Sequence, residues 1–401
     1  MIRYLDLQET YAKFGIDPSK RLRIGLVDGD GKRSKFPNIP LMRIRNYYRT
    51  FGHEAEWFRP IDVFNNYDLV FCSKIFTFTD MPKGLPLNTI YGGTGIDMLL
   101  RLPPEIQMAP PDYDLYPYWT SHMGNTQEGC RFACNFCGVP RKEPKLLTFL
   151  PDPDSTPIER IMCNPRGGNR LMLLDNDFFG GKRWRENLAE IAEKGLKVCF
   201  SQGLNIRLIT AEQAEYLSDV KYYNNGFKKR QLTFAWDRAN QKKDKDLLIR
   251  GVAHLDAAGV PRHRLAFFVL IGYDSSMADD LERVRFLRDQ GVRPYVMPFD
   301  RTNRYEKKFQ NWVNHVPTFQ SCEWEDFELR EMPEFGNESI ESRVQRPFTE
   351  SELHWDCNIP IEEAINVRKK LKRDLVRTNN GKWMLKERKA TAAPKTLDKL
   401  A

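Results

Sequence analysis

The chain has 401 residues, 41% of them apolar, enough for two or three packed cores and too apolar for a disordered polypeptide. Its formal net charge of +8 comes from 62 basic and 54 acidic residues, a mixed surface that admits an acidic or phosphorylated partner without naming one. No run reaches the roughly eighteen apolar residues of a spanning helix. The N-terminal MIRYLDLQETYAKFG lacks the apolar stretch of a signal peptide, so a soluble, cytoplasmic chain with no membrane partner is the expectation.

From the N-terminus, strand-like and helical runs alternate: RIGLVDGD, helical IPLMRIRNYYRTFG, then HEAEWF, YDLVFCS and NTIYGG. This pattern predicts a small parallel α/β unit. Gly92, Gly93 and Gly95 follow a predicted strand without a G-x-G-x-x-G and are read as turn residues. The proline-rich stretch 102–119 interrupts all periodicity and predicts a linker, which sets the domains as 1–118, 119–310 and 311–401.

Beyond it, five apolar runs recur: LMLLD (171–175), LKVCFS (196–201), QLTFAW (231–236), LAFFVLIG (265–272) and PYVMPF (294–299). Helical stretches such as RENLAEIAEKG and DLLIRGVAHLDAAG separate them, so a parallel sheet with right-handed crossovers is expected. If SHMGNTQEG (121–129) adds a sixth strand, the pattern fits an incomplete barrel. The C-terminal part predicts a helical extension. In 361–377, Ile361, Ile365, Leu371 and Leu375 face a core, and Arg368, Lys369, Lys370, Lys372 and Arg373 form a basic face, either solvated or set against phosphates. The tail KATAAPKTLDKLA has little to bury.

Eight cysteines are dilute in so long a chain, yet three fall within eight residues, in TQEGCRFACNFCGVPRKEPK. That crowding reads as metal ligation in a reducing compartment. With spacing Cys130-x3-Cys134-x2-Cys137, the three thiolates can reach three corners of one cuboidal iron-sulfur cluster and leave its fourth iron open. An open coordination position marks a reactive centre. The competing readings are structural zinc with His122 as fourth ligand, and buried free cysteines. Cys72, Cys163, Cys199, Cys322 and Cys357 stand singly and read as small buried hydrophobes.

The cysteine spacing, followed by a roughly six-strand βα pattern over about residues 119–310, resembles the radical S-adenosylmethionine (SAM) superfamily. The resemblance implies a partial (β/α)6 TIM-like barrel, a [4Fe-4S] cluster on Cys130, Cys134 and Cys137, and SAM bound at the open iron. It further implies reductive cleavage of SAM to methionine and a 5'-deoxyadenosyl radical that abstracts hydrogen from an unidentified substrate, with an electron donor such as a flavodoxin or ferredoxin. Phe136 matches the aromatic position near the adenine. Asp175, Asn176 and Asp177 end the first long strand, where the family contacts the SAM amino group, although its Gly-Gly-Glu is absent. Asp237 resembles an acidic SAM-binding residue, and Gly272 a glycine that lets backbone approach adenine. For these positions a plain strand-end turn is the alternative. Arg207, in SQGLNIRL at the same rim, is nominated for the SAM carboxylate or substrate, against a structural ion pair.

The N-terminal unit, read as Rossmann-like, is similar to that of radical SAM enzymes preceded by a cobalamin-binding domain. The loop GCRFACNFCGVPRKE also resembles the methylthiotransferases. The departures are specific. Asp28-Gly29-Asp30-Gly31 stands without the Asp-x-His-x-x-Gly histidine, His53 is the segment's one histidine, and Cys72 its one cysteine. The expectation is therefore a domain that keeps the architecture without cobalamin. Two rivals remain: cobalamin-assisted methyl transfer without a histidine ligand, and a zinc-stabilised nucleic-acid-binding protein. Trp312, Trp324 and Trp355 would offer the latter stacking faces unless they are packing residues.

Overall fold

The computed structural model describes residues 2–31, 36–60, 67–143, 147–148, 155–237, 242–328, 339–348, 353, 357, 359, 361–378 and 383–386. The chain divides into two compact units, Met1–Phe319 and Gln320–Ala401.

In the first unit, short β1 (Arg3–Tyr4) precedes β2 (Arg23–Asp28), β3 (Glu54–Trp57), β4 (Leu69–Ser73), β5 (Thr89–Gly92) and β6 (Leu100–Arg101). Strands β2 to β5 form a parallel sheet in the order β3-β2-β4-β5, and β1 pairs with β6. All five residues of β4 are buried, as an inner strand covered on both faces requires. The crossover helix Ile39–Thr50 lays Leu41, Met42, Ile44 and Tyr48 against the sheet, each such burial stabilising by roughly 1.5–3 kcal/mol. Asn38 caps this helix by accepting from the Leu41 N–H and donates to Ser73 Oγ at 3.0 Å. Gly93 (φ 91°) and Gly95 are turn residues, as expected, pressed against the backbone of Lys74 and of Ile75–Phe76, where a Cβ would not fit.

The proline-rich stretch is not a loose connector. Its helix Pro104–Met108 buries Ile106, and Tyr113, Leu115 and Tyr116 join the same core as β2 and β4. The Tyr113 hydroxyl donates to Met123 O and accepts from Met123 N, and Tyr116 donates to Asp28 Oδ2 at 2.8 Å. Aromatic anchors with satisfied hydroxyls outweigh the local disruption by proline. Residues on either side of 118 thus belong to one compact unit.

The following strands are β7 (His122–Gly124), β8 (Gln127–Glu128), β9 (Leu147–Thr148), β10 (Arg170–Leu173), β11 (Lys197–Phe200), β12 (Lys221–Tyr222), β13 (Leu232–Ala235), β14 (Leu265–Ile271) and β15 (Arg293–Pro298). Two parallel sheets result, β12-β11-β10-β7 and β13-β14-β15. A parallel bridge between Leu204 and Phe234 links the chain after β11 to β13. The five apolar runs are therefore strands. SHMGNTQEG is split: β7 enters the parallel sheet, whereas β8 pairs antiparallel with β9. The cause is the Asp175 carboxylate, which accepts from Thr126 N, Thr126 Oγ1 and Gln127 N and turns the chain between the two strands. Edge strand β12 is only two residues long and has no apolar run to announce it.

The second unit buries Val344, Phe348, Leu353, Ala364, Val367, Leu371 and Leu375. Its helix ends at Lys370, and Leu375–Arg377 is strand β16, antiparallel to β17 (Trp383–Leu385). The expected helix to 377 is corrected accordingly. Ala364, Val367 and Leu371 form the inner face, at spacings of three and four; Ile365 is half-buried, and the side chain of Ile361 lies outside the described residues. Lys369, Lys370 and Lys372 are exposed, and Arg368 lies 5.3 Å from the centre of the Trp383 ring. Trp312 in the first unit and Trp324 in the second are buried packing residues with no face for stacking. Trp355 and the tail 389–401 lie outside the described residues. Among the described residues no helix is long and apolar enough to cross a membrane.

Candidate functional site

At the carboxyl ends of β10, β11 and β13 the first unit holds a cavity of about 210 Å³, where parallel α/β folds build their sites. Cys130, Cys134 and Cys137 all line it, together with Phe136. Asn176 and Asp177 enter from the loop after β10, Arg207 from the loop after β11, and Asp237 from the end of β13. The structure thus gathers eight of the ten candidate residues around one space.

The cysteine loop is held from both ends. Gly129 (φ 89°) donates its N–H to Glu143 Oε2 at 2.6 Å, and the same oxygen accepts from Asn176 Nδ2 at 3.0 Å. Arg131 donates through its backbone N–H, Nε and Nη2 to the Asp177 carboxylate, at 3.1, 2.7 and 2.9 Å. A Cβ on Gly180 would strike that pair. Within the loop, Cys137 N donates to Cys134 O, and the N–H groups of Phe132 and Val139 point at the sulfurs of Cys130 and Cys137, at 3.5 and 3.4 Å. Such N–H···S contacts stabilise sulfur that carries charge. Burial pushes the Cys130 thiol up to about 11, with Asp177 and the two neighbouring thiols adding to it and the Phe132 N–H opposing. A metal bound there must displace the proton.

The three thiols share the cavity wall with the carboxylates of Asp177 and Asp237. Among the described residues no three His, Cys, Asp or Glu side chains converge closely enough to hold one ion. His122 is committed elsewhere: its Nδ1 accepts from Asn164 N and its Nε2 meets Gly168 O, and burial lowers its pKa. The zinc reading therefore lacks its fourth ligand.

The remaining candidates fall into three groups. Arg207 makes an ion pair with buried Asp244 at 3.2 Å, donates to Asn205 Oδ1, and stands 6.0 Å from the Phe132 ring; it is both a structural ion pair and a cation on the cavity wall. Asp237 accepts from Leu270 N at 3.1 Å, and burial raises its pKa. Asp175 and Gly272 do not line the cavity. Asp175 is spent on Thr126 and Gln127, with its pKa raised to about 6 by burial. Gly272 (φ 73°) does permit a close approach, but the group that approaches is the Glu306 carboxylate.

Sequence reasoning passed over Arg131, Glu143 and Tyr273. The first two sit within GCRFACNFCGVPRKE, but an ion pair to Asp177 has no local signal, because its partner is 46 residues away. Tyr273 packs edge-on against Phe136, with ring centres 5.5 Å apart.

No family model and no curated protein matches the chain. Solved structures do. One is TsrM from Kitasatospora setae, a radical S-adenosylmethionine methyltransferase with cobalamin and a [4Fe-4S] cluster bound. It aligns at TM-score 0.52 with 11% identity over 70% of this chain and 75% of that one. The likeness is one of fold. A second TsrM structure, with tryptophan substrate and the SAM analogue aza-SAM, gives TM-score 0.49 at 13% identity over 68% and 71% of the two chains.

The N-terminal sheet has its carboxyl rim laced by its own side chains. Asp28 receives the Tyr116 hydroxyl, and Asp30 accepts from Ile75 N, Phe76 N and Thr79 Oγ1. His53 accepts from Leu22 N, just ahead of β2 and so at the opposite end of that strand.

Proposed function

We propose that the chain is a radical SAM enzyme whose [4Fe-4S] cluster is held by Cys130, Cys134 and Cys137. The observation that carries this reading is the placement of all three thiols, at x3 and x2 spacing, on the wall of one cavity at the carboxyl rim of parallel strands. A cluster held by these three thiolates would supply the electron for reductive cleavage of SAM to methionine and a 5'-deoxyadenosyl radical able to take hydrogen from a substrate. Strands β7, β10, β11, β13, β14 and β15 are read as a partial (β/α)6 barrel, and the β3-β2-β4-β5 sheet as a Rossmann-like domain. The ranges 1–118, 119–310 and 311–401 are read as a division by role, in which the last begins inside the helix Arg304–Asn314 and its residues 311–319 belong to the first compact unit.

In this reading each wall residue has a task. The Asp177–Arg131 pair and Glu143 fix the cysteine loop, and Asn176 is held by Glu143 facing the cavity. Arg207, steadied by Asp244, offers a cation for the SAM carboxylate, and Asp237 a carboxylate for the SAM amino group or ribose. Phe136, on the cavity wall, would pack near the adenine. Reduction would come from a flavodoxin- or ferredoxin-type donor. Cobalamin-assisted methyl transfer has the fold likeness in its favour, but no described histidine stands at the carboxyl rim of the N-terminal sheet. No step is assigned to cobalamin.

The test is anaerobic reconstitution with iron and sulfide, followed by metal analysis and a search for methionine and 5'-deoxyadenosine. About four irons per chain and formation of both products are expected, with both lost in Cys134→Ala. Zinc without iron, or SAM cleavage that survives Cys134→Ala, would overturn the assignment.

A further inference from the structure

A strip of aromatic side chains leads away from the cavity. Phe136, on the cavity wall, meets Tyr273 with ring centres 5.5 Å apart, and Tyr273 meets Phe299 at 4.8 Å. Two residues further on, Arg301 places its guanidinium carbon 4.9 Å from the centre of the Phe78 ring, and Phe78 stacks on Phe76 at 5.0 Å and 22°. Tyr273, Phe299 and Phe78 follow β14, β15 and β4, so the strip runs along carboxyl-end loops from the cavity to the N-terminal sheet. Phe78 and Phe299 are each 53% exposed. Two bulky rings left half in water forgo the gain of burial, which is the mark of a surface built for contact.

The charge on the strip narrows the partner. Among the described residues no carboxylate pairs with Arg301. Adjacent Asp300 is occupied, accepting from Thr302 N at 2.8 Å and Thr302 Oγ1 at 2.6 Å. A guanidinium whose carbon sits over a ring can keep edge donors for a bidentate anion. Rings alone would accept any aromatic molecule; rings with a fixed cation favour an anion carried on the same molecule. An aromatic amino acid brings an ammonium as well, which the guanidinium repels.

We infer that this strip binds a nucleotide, with its base stacked on Phe299, whose ring is half exposed, and its phosphate on Arg301, which Phe78 supports, presenting the substrate to the cavity at Phe136. The substrate role rests on reading the cavity as the radical site; the binding itself does not. The net charge of +8 favours the approach of a phosphate, and stacking of bases on aromatic side chains supplies the affinity.

The experiment is calorimetric titration of the purified full chain with GMP, guanosine and tryptophan. GMP is expected to bind, with guanosine and tryptophan weaker by about tenfold or more. Arg301→Ala and Phe299→Ala should each weaken GMP by about tenfold, with thermal melts confirming their folding and Arg301→Gln and Phe299→Leu replacing either that unfolds. Leu87→Ala, at a fully exposed position, should leave binding intact, and saturating S-adenosylhomocysteine should not displace GMP. The inference is overturned by failure of GMP to bind, by undiminished binding in both strip variants, by preference for tryptophan, or by displacement with S-adenosylhomocysteine. None of these outcomes requires a cluster, so this result stands apart from the 5'-deoxyadenosine assay.

Discussion

The guanidinium of Arg131 lies against both carboxylate oxygens of Asp177, at 2.7 and 2.9 Å, with the Arg131 backbone N–H on the same carboxylate at 3.1 Å. One acid thus fixes both the backbone and the side chain of the residue after the first cysteine. Asp177 is almost fully buried while Arg131 is 40% exposed, so solvent screens part of the attraction. Asp177→Asn keeps the volume and loses the charge. It should lower folding stability by about 1–2 kcal/mol, and it should also release the cysteine loop. Chemical denaturation reads the first effect, and iron retained after anaerobic reconstitution reads the second. Full iron loading with unaltered stability would show that the pair does not position the loop.

Asp175 gives a pH signature. Its carboxyl is raised to about 6 because burial penalises the charged form more than Thr126 and Gln127 compensate. A folded pKa above the unfolded one means that the folded state holds the proton more tightly. Its stabilising contribution is therefore complete below about pH 4 and lost as pH rises through about 6. The wild-type chain should gain stability relative to Asp175→Asn on going from pH 7 to pH 4.5, by no more than about 3 kcal/mol. Urea denaturation of both proteins at the two pH values measures it; a constant difference would mean that Asp175 titrates normally.

Much of this architecture was readable from local signals. LMLLD, LKVCFS and LAFFVLIG are continuous apolar runs because each lies in a parallel sheet, and spacing alone placed the three cysteines on one loop. What stayed hidden depends on distant partners or satisfied polar groups. Tyr113 and Tyr116 turn a proline-rich stretch into core through hydroxyl bonds to Met123 and Asp28. Gly272 shows a third limit. Its need for a missing Cβ was legible, whereas the neighbour it accommodates, Glu306, lies 34 residues on in a helix that no local pattern ties to it.

His122 separates the two metal readings. Both ring nitrogens are engaged, by Asn164 N at 3.2 Å and Gly168 O at 3.1 Å, and the ring fills the space against Gly167. His122→Ala removes packing and leaves the Asn164 N–H without its acceptor, at a cost of roughly 2–4 kcal/mol. Metal analysis after reconstitution should still find the wild-type iron content in whatever fraction remains folded. Selective loss of metal from a chain with wild-type stability would restore His122 as a ligand.

Gly272 offers a steric test. At φ 73° a side chain is strained, and a Cβ would fall on the Glu306 carboxylate. That carboxylate cannot simply withdraw: it accepts from Asp300 N at 3.2 Å and from Asn303 Nδ2 at 3.1 Å, holding the turn between β15 and the helix Arg304–Asn314. Gly272→Ala should therefore cost more than the ~1 kcal/mol of an unfavourable backbone alone, reaching about 2–4 kcal/mol once the clash is added. The double variant Gly272→Ala with Glu306→Ala removes the clash but keeps the backbone strain. If steric conflict is the cause, the two changes are strongly non-additive in denaturation measurements. Additive losses would assign the whole effect to the backbone.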